Sequence, residues 1–279
     1  MGLTAAVPGR TISVVEEAAL RLQARQARRR WILRLWTARV IFGVAILSIW
    51  QALGTWILDR FWVSSPLLVG ARLVELAASG QMVLHSWATL EVAIYGLVLG
   101  MLVGTLLGIT LGLLPRAASI LEPYIMIFYT LPRIALAPLF IMYLGIGTVS
   151  KVALIFTMIV FIALLNSYEG VRAVDGTLVD MLRTMHAGRW RVVQWVVLPS
   201  IVPWLLATVR IGIGMSMIGA IVAELISASR GIGWYMQRAA GTFDVTGVFT
   251  GMVIIAVVAA MLSAILGLAE RRMLAWRTA

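Results

Sequence analysis

Long apolar runs alternate with short charged ones along almost the whole of this chain. Six runs lie at about 36–58, 87–113, 121–144, 151–171, 201–227 and 247–269. Each is near the ~20 residues that a helix needs to cross a bilayer. The pattern predicts an all-α integral membrane protein with about six transmembrane helices. One segment between runs differs, being both charged and periodic. At its start Asp175 can cap a helix by accepting a backbone N–H bond. Leu178, Met181, Leu182 and Met185 then recur at i, i+3, i+4 and i+7, an apolar stripe on a short helix. His186-Ala187-Gly188 ends that helix, because Gly takes positive φ freely and His is among the residues that tolerate it. A second helical run, Arg189 to Val197, stops before Pro199. Two short helices meeting at a tight turn predict a rigid knob, and a knob suggests docking.

The regions around the spans divide the chain further. Residues 1–35 are polar and Arg-rich, without the shape of a signal peptide. Val14 to Leu35 reads as a basic amphipathic helix, with Arg28, Arg29 and Arg30 meeting anionic headgroups and Trp31 and Trp36 at the interface. A solvated helix leading into the first span is the alternative. The first span occupies 36–63, a core with five spans 64–272, and a short tail 273–279. Ser64-Ser65-Pro66 opens the core, with a helix near the membrane face from Ala71 to Ser79. Ser229 to Trp234 reads as a Gly-rich turn before the last span.

The second span carries Gly96, Gly100, Gly104, Gly108 and Gly112 at strict four-residue intervals. Such a ladder lets a neighbouring backbone approach closely. A four-residue ridge drifts around a 3.6-residue helix, which predicts more than one partner helix. Tight packing is one reading and a sliding surface the other. The third span contains Pro123, Pro132 and Pro138, which predict kinks and freed carbonyls.

Charge sets the orientation. Of 23 basic residues, all Arg except Lys151, sixteen fall on one side if both termini are cytoplasmic, five on the other, and two, Arg133 and Arg210, within spans. The positive-inside rule therefore puts both termini and the knob in the cytoplasm. The chain has 279 residues, 61% of them hydrophobic and only 13% charged, against ~25% charged in soluble domains. Its net charge of +11 thus sits at span ends, and nucleic acid is not implied. The absence of cysteine and the two distant histidines exclude disulfides and make a metal centre improbable. The one lysine follows Ser150 and precedes Val152, outside any phosphate-binding G-x-x-x-x-G-K-[ST] loop. An ATP-driven engine would be another polypeptide.

Intramembrane charge marks a pathway, pairing site or ligand site. Arg133, Arg210, Ser216 and Glu224 are accordingly the candidates for a translocation path. Arg210 and Glu224 are fourteen residues apart on one helix, roughly 21 Å, which excludes pairing within that helix and leaves another span or a second copy open.

The knob resembles the EAA loop of ATP-binding-cassette (ABC) importer permeases, a pattern of E-A-A, three residues, Gly, nine residues and Ile-x-Leu-Pro. Asp180-Met181-Leu182 stands for E-A-A, His186 for the Gly, Val196 for the Ile, and Leu198-Pro199 matches outright. Further stretches resemble the nitrate/sulfonate/taurine branch: Leu111-Gly112-Leu113, Leu131 to Leu139, Leu144 to Gly147, Arg210-Ile211-Gly212, Ala223 to Ile226, and Arg230 to Gly233. They run in family order from about residue 64 to 272. Two departures are the His186 substitution and Val92, which follows Thr89-Leu90-Glu91 where the family often has Arg. The resemblance implies a type I, MetI-like permease in a bacterial inner membrane. It implies two permease copies forming the pore, two ATPase subunits holding ATP and magnesium, and a periplasmic or lipid-anchored solute-binding protein. It further implies coupling through Asp180, Met181, Leu182, Met185, His186, Gly188, Arg189, Trp190, Leu198 and Pro199. The solute it implies is a sulfonate, carboxylate or inorganic oxyanion, and this chain itself would hold no cofactor or metal and catalyse nothing.

Three other readings stand beside it. An ATP-independent secondary transporter would show inverted repeats, and none is visible. A membrane enzyme would need a paired acid–base constellation, which the scattered carboxylates do not offer. A permease working only beside a different partner copy would explain the altered knob.

Overall fold

The computed structural model describes residues 14–57, 59 and 61–273. Among them every regular element is a helix, with no strand. The described residues fall into two compact units, divided at residue 60.

The first unit holds α1, Val14–Ala52, which closes in a wide π turn at Leu53–Ile57. The basic helix expected over 14–35 and the span expected from 36 follow one another without a break. No Gly or Pro interrupts residues 14–42, and Ala, Leu, Arg, Gln and Glu are strong helix formers. Head and span are therefore one helix, apolar enough to cross a membrane from Arg29 to Ile57. Residues 1–13, and the side chain of Arg28, lie outside the described residues.

The second unit begins with α2, Pro66–Ala78, and α3, Gln81–Leu113. The third span is broken. α4, Pro115–Thr130, ends at Leu131-Pro132; a 3₁₀ turn, Arg133–Leu136, leads into α5, Ala137–Leu144, at 78° to α4. The prolines predicted a kink, and Pro132, following an extended Leu131, turns it into a corner. α6, Thr148–Arg172, follows, then α7, Gly176–Thr184, and α8, Arg189–Val192. α9, Leu198–Ile226, α10, Ile232–Gly241, and α11, Val245–Met273, complete the described chain. The expected Gly-rich turn after the fifth span is shorter than predicted, because α10 starts within it.

The parallel pair α3–α6 makes the most extensive helix contact among the described residues. Here the structure corrects the reading of the glycine ladder. All five rungs meet one helix: Gly96 at Ile155, Gly100 at Ile159, Gly104 at Ala163, Gly108 at Ser167 and Gly112 at Val171. The drift of the ridge needs no second partner, because α6 advances four residues per rung as well. α9 returns antiparallel, with Gly219 against Ile155 and Met158, and Trp204 against Gly170. Val92, Ala93, Ile155, Ile159, Met217 and Ala220 form the core where the three helices meet. The start of α3, the start of α6 and the end of α9 thus share one end of the bundle. The knob occupies the other.

Candidate functional site

The knob is built as its residues dictate. The Asp175 carboxylate accepts the Thr177 N–H at 2.8 Å and so caps α7; hydrogen bonding to Thr177, through its side chain first and its backbone second, holds the Asp175 pKa below the ordinary aspartate value. At the other end His186 has φ 56. Its N–H donates to the Arg183 carbonyl at 2.9 Å, and the Ala187 N–H reaches back to Leu182 at 3.0 Å. This is a Schellman closure with His in the left-handed position usually taken by Gly. Gly188 has φ −66 and uses none of its freedom. Asp180 pairs along the helix with Arg183 at 3.3 Å. Met181, Met185 and Trp190 are 59%, 68% and 73% exposed, Leu182 is half-buried, and Arg189, Leu198 and Pro199 are exposed.

The second knob helix does not stop before Pro199. α8 passes through a π turn, Val193–Val197, straight into α9. Pro199 lies in the first turn of α9, where its missing N–H and fixed φ do no harm.

At the corner of the broken span, Arg133 lies beside the middle of α6. Its guanidinium sits over the rings of Tyr129 and Phe161 at 5.1 and 5.2 Å, and Nη2 donates to the Tyr129 carbonyl at 2.7 Å. Nε is buried and has no hydrogen-bond partner. No carboxylate forms an ion pair with it among the described residues. Arg210, in contrast, is spoken for: its guanidinium pairs with Glu270 on α11, the partner span that the sequence left open.

Ser216 and Glu224 are packed inside the chain, which corrects their placement on an open path. Ser216 is 1% exposed and donates to Ile213 at 3.0 Å. Glu224 is 0% exposed and is the centre of a clasp. Its carboxylate accepts the Thr89 hydroxyl at 2.9 and 3.0 Å and the Gly233 N–H at 2.8 Å. Thr89 Oγ accepts the Ile232 N–H at 2.8 Å, and His85 Nδ1 accepts the Gly231 N–H at 3.2 Å. Three consecutive amides that open α10 are thereby satisfied, in the place where a helix otherwise leaves them orphaned and where its dipole favours negative charge. Gly231 has φ 122, and a Cβ on it would overlap the Glu224 carboxylate. A Cβ on Gly233 would stand 2.7 Å from Glu224 Cβ. His85 also stacks on Trp234. Sequence reasoning marked Glu224 and the two glycines separately; the Gly-x-Gly spacing was the signal that something approaches this backbone closely.

Comparison with known proteins gives concordant matches. The family described as "Binding-protein-dependent transport system inner membrane component" matches residues 96–275. The putative aliphatic sulfonates transport permease protein of Bacillus subtilis (strain 168) is 30% identical over 243 residues, 87% of this chain and 88% of that one. The taurine transport system permease protein of Escherichia coli (strain K12) is 30% identical over 264 residues, 92% and 96% of the two chains. The riboflavin transport system permease protein of Chloroflexus aurantiacus is 34% identical over 217 residues, 77% and 81%. Among solved structures, a chain of the MetNI methionine ABC transporter in an inward-facing conformation superposes with a TM-score of 0.60 at 17% identity. That match covers 67% of this chain and 93% of the other, and shows a shared fold.

Proposed function

This chain belongs to the family of binding-protein-dependent transport inner membrane components, the permease subunits of ATP-driven importers, and on that premise we propose that it carries a small organic or inorganic anion through the bacterial inner membrane. It is a multi-pass membrane protein that works with a separate ATPase and a solute-binding protein, and it hydrolyses no ATP itself. That assignment sets aside the ATP-independent alternative.

The anion reading rests on Arg133. A guanidinium at mid-depth with no carboxylate partner and a buried, unsatisfied Nε is costly unless something completes it. A sulfonate or carboxylate would do so, and relatives named for aliphatic sulfonates and for taurine agree with that chemistry. Arg210 is not needed for this role, since Glu270 answers its charge. Two copies of this chain would enclose the path, with both termini cytoplasmic. Two ATPase subunits, holding ATP and magnesium, would each grip one knob through Met181, Met185 and Trp190, whose apolar surface is exposed among the described residues.

The test is ATPase activity and uptake by the co-purified complex in lipid with its binding protein, against alkanesulfonates, taurine, nitrate and carboxylates. Stimulation by one of these anions, lost in Arg133→Gln, is the expected result. Stimulation only by uncharged or cationic solutes, or full anion uptake by Arg133→Gln, overturns the anion reading. Met185→Glu is expected to release the ATPase while the permease still inserts; retention of the ATPase would remove the knob from the interface.

A further inference from the structure

Lys151, the one lysine of the chain, takes no part in the features described so far. It lies in the first turn of α6, at the end of the bundle that carries the clasp. Its ammonium makes no ion pair among the described residues, although Glu224 and Arg230 lie within electrostatic reach. The hydrogen bonds of the Glu224 carboxylate go to Thr89 and Gly233 rather than to Lys151. Lys151 lines a cleft of about 10 Å³ between α5, α6 and α9, together with Ile141 and Ser227. The Ser227 hydroxyl is buried and has no hydrogen-bond partner. A cleft of this size admits about one water-sized group. A buried polar group left unmet is costly, and a cationic side chain lines the same space.

Ile141 and Ser227 also line a neighbouring cavity of about 440 Å³, whose other walls include Pro138, Met142, Ile226 and Gln237. We infer that this pair of spaces is a binding station for an amphiphilic monoanion: one oxyanion oxygen enters the cleft between Lys151 and Ser227, and the short apolar body rests on Pro138, Ile141, Met142 and Ile226. The first turn of α6 reinforces the preference, because the dipole at a helix N-terminus favours negative charge. The inference rests on the anion reading above and deepens it. It adds a second contact toward the clasp end, separate from Arg133 at mid-depth.

Because no other lysine exists, an amine-selective acylating reagent reports on this site alone once the peptide containing residue 151 is resolved by mass spectrometry. The complex in phosphatidylcholine nanodiscs is labelled with and without 1-propanesulfonate. Matched sodium chloride and 1-propanol serve as controls, and a further arm contains phosphatidylglycerol. Severalfold slowing by propanesulfonate but not by chloride or propanol is expected, and Ser227→Ala should need a higher sulfonate concentration for the same protection. Equal labelling rates with and without sulfonate, or no labelling of Lys151 under any condition, overturn the site. Protection by phosphatidylglycerol alone assigns the cleft to a lipid headgroup and likewise overturns the solute station. Uptake separates the two proposals. If the wild-type complex imports an anion while Lys151 is unprotected, the station falls and the anion reading stands. If it imports no anion, the anion reading falls first.

Discussion

Replacing Gly104 by alanine adds one methyl group to the α3–α6 seam, and the structure fixes what that methyl meets. It would overlap the Val160 carbonyl oxygen and stand 2.7 Å from Ala163 Cβ and 3.1 Å from the Leu164 nitrogen. None of these is the end of a flexible side chain. Relief requires the two backbones to part by about 0.8 Å to reach ordinary carbon contact, and the rungs at Gly100 and Gly108 loosen with them. Overpacking of this kind costs about 1–3 kcal/mol, and we place it at the upper end because backbone must move. Alanine's better helix propensity offsets about 1 kcal/mol. The net loss is then about 1–2 kcal/mol, a fall of roughly 2–8 °C in Tm by the scaling for domains of this size. Other glycines calibrate the argument within the same chain. Gly108→Ala faces the Leu164 carbonyl and should behave alike. Gly212→Ala overlaps the Leu97 Cδ1 methyl at 2.6 Å, which can swing aside, and makes an ordinary contact with Ile159 Cδ1 at 3.8 Å; Gly214→Ala meets nothing. Thermal unfolding of the purified complex in one lipid mixture should rank Gly104→Ala and Gly108→Ala lowest, Gly212→Ala near wild type and Gly214→Ala highest. A Gly104→Ala protein melting at or above Gly214→Ala would refute the claim that the ladder sets the spacing of this pair.

Two further predictions concern the ends of the bundle. Glu224→Ala strands the Gly233 N–H in a buried site, at about 1–3 kcal/mol, while the Thr89 hydroxyl keeps the His85 carbonyl at 3.2 Å as an acceptor; Glu224→Gln keeps an acceptor for both. Amide hydrogen exchange at Ile232 and Gly233 should therefore rise strongly in the alanine variant and less in the glutamine one; equal protection in both would show that the clasp does not hold α10. At the knob, the folded-state pKa of Asp175 is depressed, so its cap is fully present above the ordinary aspartate range. It is lost only as pH falls below that range, towards the folded-state pKa. Exchange of the Thr177 amide should follow that course in wild type and be fast at every pH in Asp175→Ala, and a wild-type profile in the alanine variant would exclude the cap.

What could be read from sequence was what depends on neighbours along the chain. Apolar runs, the Asp175 cap, the His186 break and the proline corner are set by residues a few positions apart, and each stands in the structure with boundaries shifted. The unbroken α1 and the passage of α8 into α9 were missed for a related reason. A polar stretch and a proline look like boundaries, yet helix propensity in one case and a first-turn proline in the other let the helix continue. The clasp was out of reach. Thr89 and Glu224 are separated by 135 positions, and no local pattern says that a threonine on one span completes a carboxylate on another. The same holds for Arg210 and Glu270, and for the single partner of the glycine ladder, whose complementary rungs on α6 are ordinary Ile, Ala, Ser and Val.

The unbroken path from α8 through the π turn into α9 has a mechanical consequence. Arg189–Ile226 counts 38 residues, about 57 Å at 1.5 Å per residue, and it carries knob residues at one extremity and Glu224 near the other. Such a rod behaves as a lever: a tilt of about 5° around its midpoint displaces each tip by about 2.5 Å, in opposite directions, over that length. Torque applied where Trp190 sits is delivered to the amides that open α10 without passing through any loop. The compliance of the linkage is concentrated at two places, the π turn and Pro203, the kinds of feature at which helices bend. Stiffening or softening those two joints would change the gearing between the ends while leaving every contact at either end as it is.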